Sequence, residues 1–564
     1  MRNLIEMAKS QIEQAVQKAV DKAVAEGKLP QVNINEIFIE TPREKQHGDF
    51  ATNVAMQITR EAKKAPRMIA DILVDSMDLK DTLIEKIEVA GPGFINFYFK
   101  KDWLYQVIYA IEKEGSDYGK VNIGNGQKVM VEFVSANPTG PMHMGNARGG
   151  ALGDCLASVL DWAGYDVTRE FYVNDAGNQI EKFGKSLEAR YVQLLKGEDA
   201  FLFPEDGYHG EDIKEHMKDF IAIEGDKYLE VDSEKRKNAF VEFALQKNID
   251  NLKADLELYG IKYDVWFNES TLYENGEVQK TIDDLVNNGY AYEKEDAVWF
   301  KASEFGAEKD EVLVRNNGIP TYFAADIAYH RNKFITRGFD RVIDIWGADH
   351  HGHVARIKGA MQAVGCSPEK LDVIIMQLVR LLRNGEVARM SKRTGKSITL
   401  KDLLEETSID AARFFFNMRQ AGSHLDFDLD LSVEQSNENP VFYVQYAHAR
   451  ICSIIRLLEE EGVKIKSVDE IDVSLLKESE ELELLKKLAE LPEEIKGSAL
   501  SMEPSRMTRY VLDLAGLFHS FYNACRVKAE DKELMFARLK LIDSVRAVIK
   551  NVLNMLGINA PEKM

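Results

Sequence analysis

The sequence predicts an α/β protein built on a doubly wound parallel sheet, with an α+β module before it and an all-α bundle after it. Three observations lead there. Residues 129–134 are apolar apart from Glu132, as in a parallel strand covered on both faces. The strand–helix–strand order that begins at this run returns at 341–378. Beyond residue 436 apolar positions recur only at helical spacing. A chain of 564 residues is too long for one core, and we expect units at 1–120, 121–436 and 437–564.

Taken in order, residues 3–26 read as an amphipathic helix, 32–39 as a strand and 52–77 as a helical stretch. Two strands follow at 84–89 and 93–98, joined by Ala90-Gly91-Pro92-Gly93. Gly115, Gly119, Gly124 and Gly126 mark a loop-rich boundary. A strand from 128 leads to a helix over 145–163, whose apolar face holds Leu152, Cys155, Leu156, Val159 and Leu160 and whose stop is Gly164. A strand at 167–173 completes the first unit. The polar stretch 182–251 is expected to be an insertion between the two halves, outside the sheet. The second half has strands at 341–346 and 372–378 around a helix at 354–364. Asn439-Pro440 supplies an N-cap and first-turn proline for the first bundle helix, and three more helices carry Leu482, Leu485 and Leu488, then Val511, Leu514 and Phe518, then Leu541, Val545 and Val548.

Hydrophobic residues at 45% and charged residues at 29% exclude a largely disordered chain. No apolar run is long enough for a membrane helix, and the first 20 residues interleave charged with apolar side chains, unlike a signal peptide. Four cysteines with no close pair give neither a disulfide framework nor a zinc knuckle, which fits a reducing cytoplasm. A net charge of -21 argues against a nucleic-acid partner unless a basic track is confined to one face.

Chemistry concentrates at strand ends. The loop 135–146 contains Pro138, Thr139, Gly140 and Pro141, then His143, Gly145 and Asn146 at a helix N-terminus, where phosphate charge is favoured. It is not a Walker loop: the first glycine such a motif needs ahead of Gly395-Lys396-Ser397 would fall at Met390. The basic turn Arg389-Met390-Ser391-Lys392-Arg393-Thr394-Gly395 offers an ammonium, Lys392, to charge developing on a departing pyrophosphate; alone, it also fits a solvated turn. Gly347-Ala348-Asp349-His350-His351-Gly352-His353 ends a strand, with Asp349 suited to ribose hydroxyls and Gly347 to adenine; a zinc site is the alternative reading. Glu132 interrupts a buried strand and needs a cation, either an internal Arg or Lys or a bound substrate. Tyr322 and Asp326 share one helix face, and two carboxylates beside a phenol suit a guanidinium.

His143-x-Gly145-Asn146, the 389–395 turn and the 347–353 segment resemble, in order, the HIGH, KMSKS and GxDxxxH signatures of class I aminoacyl-tRNA synthetases. Glu132 and Asn137, with Tyr322 and Asp326, resemble the arginyl-specific family, as do 171–179, 204–208 and 439–450, so the likeness spans nearly the whole chain. It implies a Rossmann-like catalytic core, an N-terminal module at the tRNA elbow and a bundle that reads the anticodon. By the same resemblance His143, Asn146 and Lys392 are catalytic. ATP, entering with Mg2+ as substrate, meets Pro138, Thr139, Gly140, Pro141, His143, Gly145, Asn146, Gly347, Asp349, His350, His353, Met390, Ser391 and Lys392. Arginine meets Glu132, Ser135, Asn137, His143, Tyr322, Asp326 and His350, with Asn137 and His143 at its α-ammonium and carboxylate ends. Tyr446, Arg450, Asn523 and Met564 are candidates for tRNA-Arg contact. We expect no resident metal, no membrane segment and a cytoplasmic monomer; the resemblance adds that family members commonly need bound tRNA before activating arginine. Asn146 and Arg389 depart from the usual His and Lys. A non-catalytic RNA-binding relative, a small-molecule nucleotidyltransferase and another class I specificity are the rival readings.

Overall fold

A computed structural model describes residues 3–42, 44–388 and 398–564. Five parallel strands form the central sheet, in the order Leu371–Met376, Arg341–Gly347, Lys128–Glu132, Asp166–Val173, Val265–Asn268. Lys128–Glu132 is the first of them in sequence and lies at the centre. The chain winds outward from it on one side and returns to its other side with Arg341–Gly347, so the crevice beyond the carboxyl ends of these two strands is the switch point where ligands bind in such sheets.

The N-terminal helix Leu4–Ala25 is capped by Asn3, whose Oδ1 accepts from Ile5 N at 3.0 Å. It packs against the helix Pro66–Ser76, which in turn lies on a four-stranded antiparallel sheet. The strand expected over 32–39 forms only at its end, as Ile39–Glu40, and Phe50–Thr52 pairs with it. The helical stretch expected over 52–77 breaks into Val54–Gln57, Thr59–Ala62 and Pro66–Ser76, because Lys63 takes a left-handed conformation (φ 51°) and Pro66 starts a new first turn. A further helix, Asp102–Glu114, stands where the sequence predicts only a loop-rich boundary; its buried face is Trp103, Leu104, Val107, Ile108 and Ile111 and it stops at Gly115. It joins this module to the bundle: Tyr105 Oη donates to Leu476 O at 3.0 Å and Asn551 Nδ2 to Gly115 O at 3.0 Å.

The insertion differs from expectation in its place. Its helices Asn178–Lys196, Glu211–Glu224 and Ser233–Leu258 enclose an apolar cluster of their own, and the chain then returns to the sheet as its edge strand Val265–Asn268. The excursion therefore lies within the first half, not between the halves; four residues are too few to display a strand period. The bundle helices are Pro440–Glu460, Ser479–Ser501, Ser505–Ala524 and Lys532–Met555. Their core is continuous with one face of the sheet and with the N-terminal module. Arg413 locks the junction from within, donating to Leu556 O (2.7 Å) and Tyr259 O (3.2 Å) and pairing with Asp154.

Candidate active site

The sheet register sets three acids side by side. Asp344 stands opposite Glu132, and Glu132 opposite Glu170, on neighbouring strands. Like charges so placed repel, and burial compounds the cost, so each must be neutralised. One segment does this. The helix Tyr322–Arg331 runs into a π-helical turn, Asn332–Thr336, that carries Lys333 beneath the row. Lys333 Nζ reaches Glu132 Oε2 at 2.6 Å and Asp344 Oδ1 at 2.9 Å, while Arg337 pairs with both oxygens of Glu170 and Tyr329 Oη donates to it at 2.5 Å. Burial disfavours the ammonium of Lys333, yet Asp344 and Glu132 hold its pKa above the ordinary lysine range.

The same helix places Asp326 at the cavity wall. Its Oδ2 lies 2.5 Å from His353 Nε2 and its Oδ1 3.0 Å from His330 Nδ1, and His330 Nε2 lies 2.8 Å from Asp344 Oδ2. Against the cost of burial, His330 and His353 hold the Asp326 carboxyl well below the usual range. Burial likewise opposes a charged His330, but Asp326 and Asp344 on either side raise its imidazole to about 10. His330 is thus a cation at neutral pH. Glu132, Glu170, Asp326 and Asp344 meet Lys333, Arg337, His330 and His353 in one network of ion pairs, and burial pushes the Glu132 carboxyl up despite Lys333.

After the central strand the chain turns sharply. Val134 (φ 69°) and Ser135 (φ 40°) are left-handed, a costly conformation for a β-branched residue. Hydrogen bonds offset it: Ser135 N donates to Phe133 O (3.0 Å), and Ser135 Oγ donates to Glu132 Oε1 (2.9 Å) and accepts from Tyr172 N (3.1 Å). Both Glu132 oxygens are therefore engaged within the protein. The internal ion pair raised from the sequence is present, and Glu132 lines a cavity as well.

That cavity, about 370 Å³, is bounded by Glu132, Asp326, Tyr322, Tyr172, Glu269 and His353 among others. A neighbouring cavity of about 590 Å³ is lined by the loop after the central strand and by Gly347, Asp349 and Met376. Val134, Ser135, Ile345, Gly347 and His350 border both, so the two form one cleft. Residues 389–397, with Arg389, Met390, Ser391 and Lys392, lie outside the described residues. The chain that leaves them is clamped to the first loop: Met144 N donates to Ile398 O (3.1 Å) and Leu400 N to Met142 O (3.0 Å).

Of the residues expected at the nucleotide, Gly140, Pro141, His143, Gly145, Asn146, Gly347, Asp349 and His350 line the larger cavity. Pro138 and Thr139 do not; the Pro138 carbonyl turns away to accept from Asn248 Nδ2 at 3.0 Å. His353 belongs to the smaller cavity, drawn there by Asp326. Of those expected at the amino acid, Glu132, Ser135, Tyr322, Asp326 and His350 line the smaller cavity, whereas Asn137 and His143 line the larger one. His143 is exposed, its Nδ1 accepting from Gly145 N at 3.2 Å. Tyr172, Gln179, Glu269 and His330 were not singled out, although a lone acid at the end of the apolar run Val265-Trp266-Phe267 is the signal that would have found Glu269. Among the described residues no group of three or more His, Cys, Asp or Glu is placed to hold a metal ion.

In the bundle, Arg450 lies between the rings of Tyr446 (4.6 Å) and Tyr522 (4.7 Å) and donates to Tyr446 Oη at 2.7 Å. Asn523 is exposed beside Tyr522, and Met564 ends an exposed tail tied down by His448 Nδ1 and Pro561 O (2.8 Å).

A cleft at the switch point, lined by the loop after the central strand, narrows the class of protein. The family model described as tRNA synthetases class I (R), catalytic domain, matches residues 107–422. Arginyl tRNA synthetase N terminal domain matches 9–99, and DALR anticodon binding domain matches 444–564. The arginine–tRNA ligase of Acetivibrio thermocellus is 65% identical over 564 residues, covering 100% of both chains. A solved structure of a putative arginyl-tRNA synthetase from Campylobacter jejuni is 33% identical with a TM-score of 0.75, covering 83% of this chain and 100% of that one. The Thermus thermophilus arginyl-tRNA synthetase, at 22% identity and TM-score 0.72 over 98% of this chain and 100% of its own, bears on the fold. The chain belongs to the arginyl-tRNA synthetase family.

Proposed function

We propose that this protein is an arginine–tRNA ligase that joins arginine to ATP in the cleft and passes it to tRNA-Arg. The observation that carries the reading is the convergence of Glu132 and Asp326 on one cavity that opens onto the nucleotide-facing loop. Glu132 and Asp326 line that cavity and give a guanidinium two acids to meet, and Tyr322 offers it a ring. ATP with Mg2+ takes the larger cavity, its phosphates toward His143, Asn146 and the helix N-terminus at Gly145.

The carboxylate of arginine then attacks the α-phosphorus in line. The bond to pyrophosphate breaks, and Lys392 meets the charge that leaves. In the second step the terminal 2′-hydroxyl of the tRNA attacks the adenylate carbonyl and AMP departs. Asn146 still donates a hydrogen bond where the signature has His. Residues 1–120 bind the tRNA elbow, 121–436 perform catalysis, and 437–564 read the anticodon through Tyr446 and Arg450, with Asn523 and Met564 nearby. The enzyme works as a cytoplasmic monomer; no described helix is long and apolar enough to cross a membrane.

ATP–pyrophosphate exchange measured with each amino acid in turn, with and without total tRNA, tests this. Arginine alone among the twenty should support exchange. Exchange with a different amino acid, or none even with tRNA, would refute the assignment.

A further inference from the structure

The helices of the insertion meet the loop that follows the central strand. Asn248, on the helix Ser233–Leu258, donates from Nδ2 to the Pro138 carbonyl at 3.0 Å, and its Oδ1 lies 2.8 Å from His216 Nε2 on the helix Glu211–Glu224. A carbonyl only accepts, so the Asn248 nitrogen faces Pro138, its oxygen faces His216, and His216 Nε2 carries the proton. Both side chains belong to residues that are 4% exposed. One turn beyond Asn248 the same helix brings Leu252 to the wall of the larger cavity, and a side chain at Gly140 would stand 3.6 Å from Asp212 Oδ2. The fastening carries a cost. His216 Nδ1 is buried without a hydrogen-bond partner, and burial holds the imidazole below its usual range against the bond to Asn248. An apolar contact would join helix and loop without that cost; what a donor adds is a fixed direction for one carbonyl. Pro138 and Pro141 already restrict the backbone around Thr139 and Gly140. Fixing the Pro138 carbonyl therefore sets the path of the chain that presents Gly140, Pro141 and His143 to the larger cavity.

We propose that Asn248 is a positioning residue for the nucleotide loop, oriented by His216, and that this relay is a task of the insertion. The inference rests on the larger cavity taking ATP. Asn248 acts through Pro138 and touches no reacting atom. With the relay intact, the loop holds Asn146 and the helix N-terminus at Gly145 in place before ATP arrives. Without it, the Pro138 carbonyl and His216 Nε2 lose their partner, and the nucleotide itself must order the loop, which weakens its binding. Neither His216, Asn248 nor Leu252 lines the smaller cavity, so arginine should feel the change far less.

Pyrophosphate exchange by the full chain in the presence of total tRNA, with ATP and arginine varied in turn, separates the two cavities. Asn248→Leu keeps the size of the side chain and removes both polar ends; it should raise the KM for ATP roughly 5- to 30-fold, with far less change in the KM for arginine. His216→Leu should act in the same direction more weakly. His216→Gln, whose amide nitrogen can stand where Nε2 does, should restore the wild-type KM, and this pair decides the matter if Asn248→Leu fails to fold. Leu variants that keep the wild-type KM for ATP overturn the inference, as do variants that lose ATP and arginine alike, the mark of a merely structural role. A Gln variant no better than His216→Leu overturns the part given to His216. Calorimetric titration with ATP keeps the two readings apart. A wild-type chain that binds no ATP overturns the functional reading and this inference together, whereas equal ATP affinity in wild type and Asn248→Leu overturns the inference alone.

Discussion

The two halves of the cleft share a wall and are built on opposite principles. The smaller cavity, which we propose takes the amino acid, rests on a framework of buried charge: Glu132, Asp344 and Glu170 lie in strand register, with Lys333, His330 and Arg337 delivered against them by one helix and its π turn. Its groups hold one another in place before any ligand arrives. The larger cavity, which we propose takes the nucleotide, is loop backbone and exposed side chains, with His143 open to solvent and Asp349 paired loosely with His350 at 3.6 Å. Selecting a small cation requires rigid, desolvated acceptors. Holding and releasing a triphosphate requires donors that can approach and withdraw.

The division can be broken most sharply at Asp326. Removing one partner of a buried, hydrogen-bonded charge pair costs about 2–5 kcal/mol, so Asp326→Asn should cut kcat/KM for arginine roughly 30- to 4,000-fold in pyrophosphate exchange. The KM for ATP should stay put; equal losses for both substrates would show that the two sides are not independent. Lys333→Met tests the framework itself. It leaves Glu132 and Asp344 buried and unpaired, at a cost of about 3–5 kcal/mol, read as a lowered denaturation midpoint of the full chain. An unchanged midpoint would mean that the row of acids is neutralised in another way.

His143→Ala probes the other side. Loss of a hydrogen bond to a charged phosphate, about 1.5–3 kcal/mol, should lower exchange roughly 10- to 100-fold through ATP while sparing the arginine KM. A variant whose arginine KM rises instead would move His143 to the amino-acid side. The smallest effect is a pH slope. His330 titrates at about 10 in the folded protein, above its unfolded value of about 6.5. Its ion pairs thus add stability in full below about pH 6.5 and lose it as pH rises through the folded value. The thermal midpoint of wild type should fall more steeply between about pH 8 and 10.5 than that of His330→Asn, and parallel slopes would disprove the charged imidazole.

Much of the architecture could be read directly. The run at 129–134 declared a buried parallel strand, and Asn439-Pro440 declared the bundle's first helix, because burial on both faces and end-capping leave local marks. The edge strand Val265–Asn268 left none, being only four residues long after a long excursion. Tyr322 and Asp326 could be paired because helix geometry fixes neighbours four residues apart, and both do line one cavity. That Glu132 answers to Lys333 could not be seen, since 201 residues separate them.

The sequence by itself determined the central strand, the loop and helix that follow it, the first helix of the bundle and which acid interrupts a buried run, for these depend on residues within a few positions of each other. Only the tertiary structure decided that three acids from three strands fall in one row, that His353 serves Asp326 rather than the nucleotide, and that Glu269 joins the same cavity. Those outcomes depend on strand register and on a π-helical turn far along the chain, and charge balance in a buried site is a property of what is packed together rather than of what is adjacent in sequence.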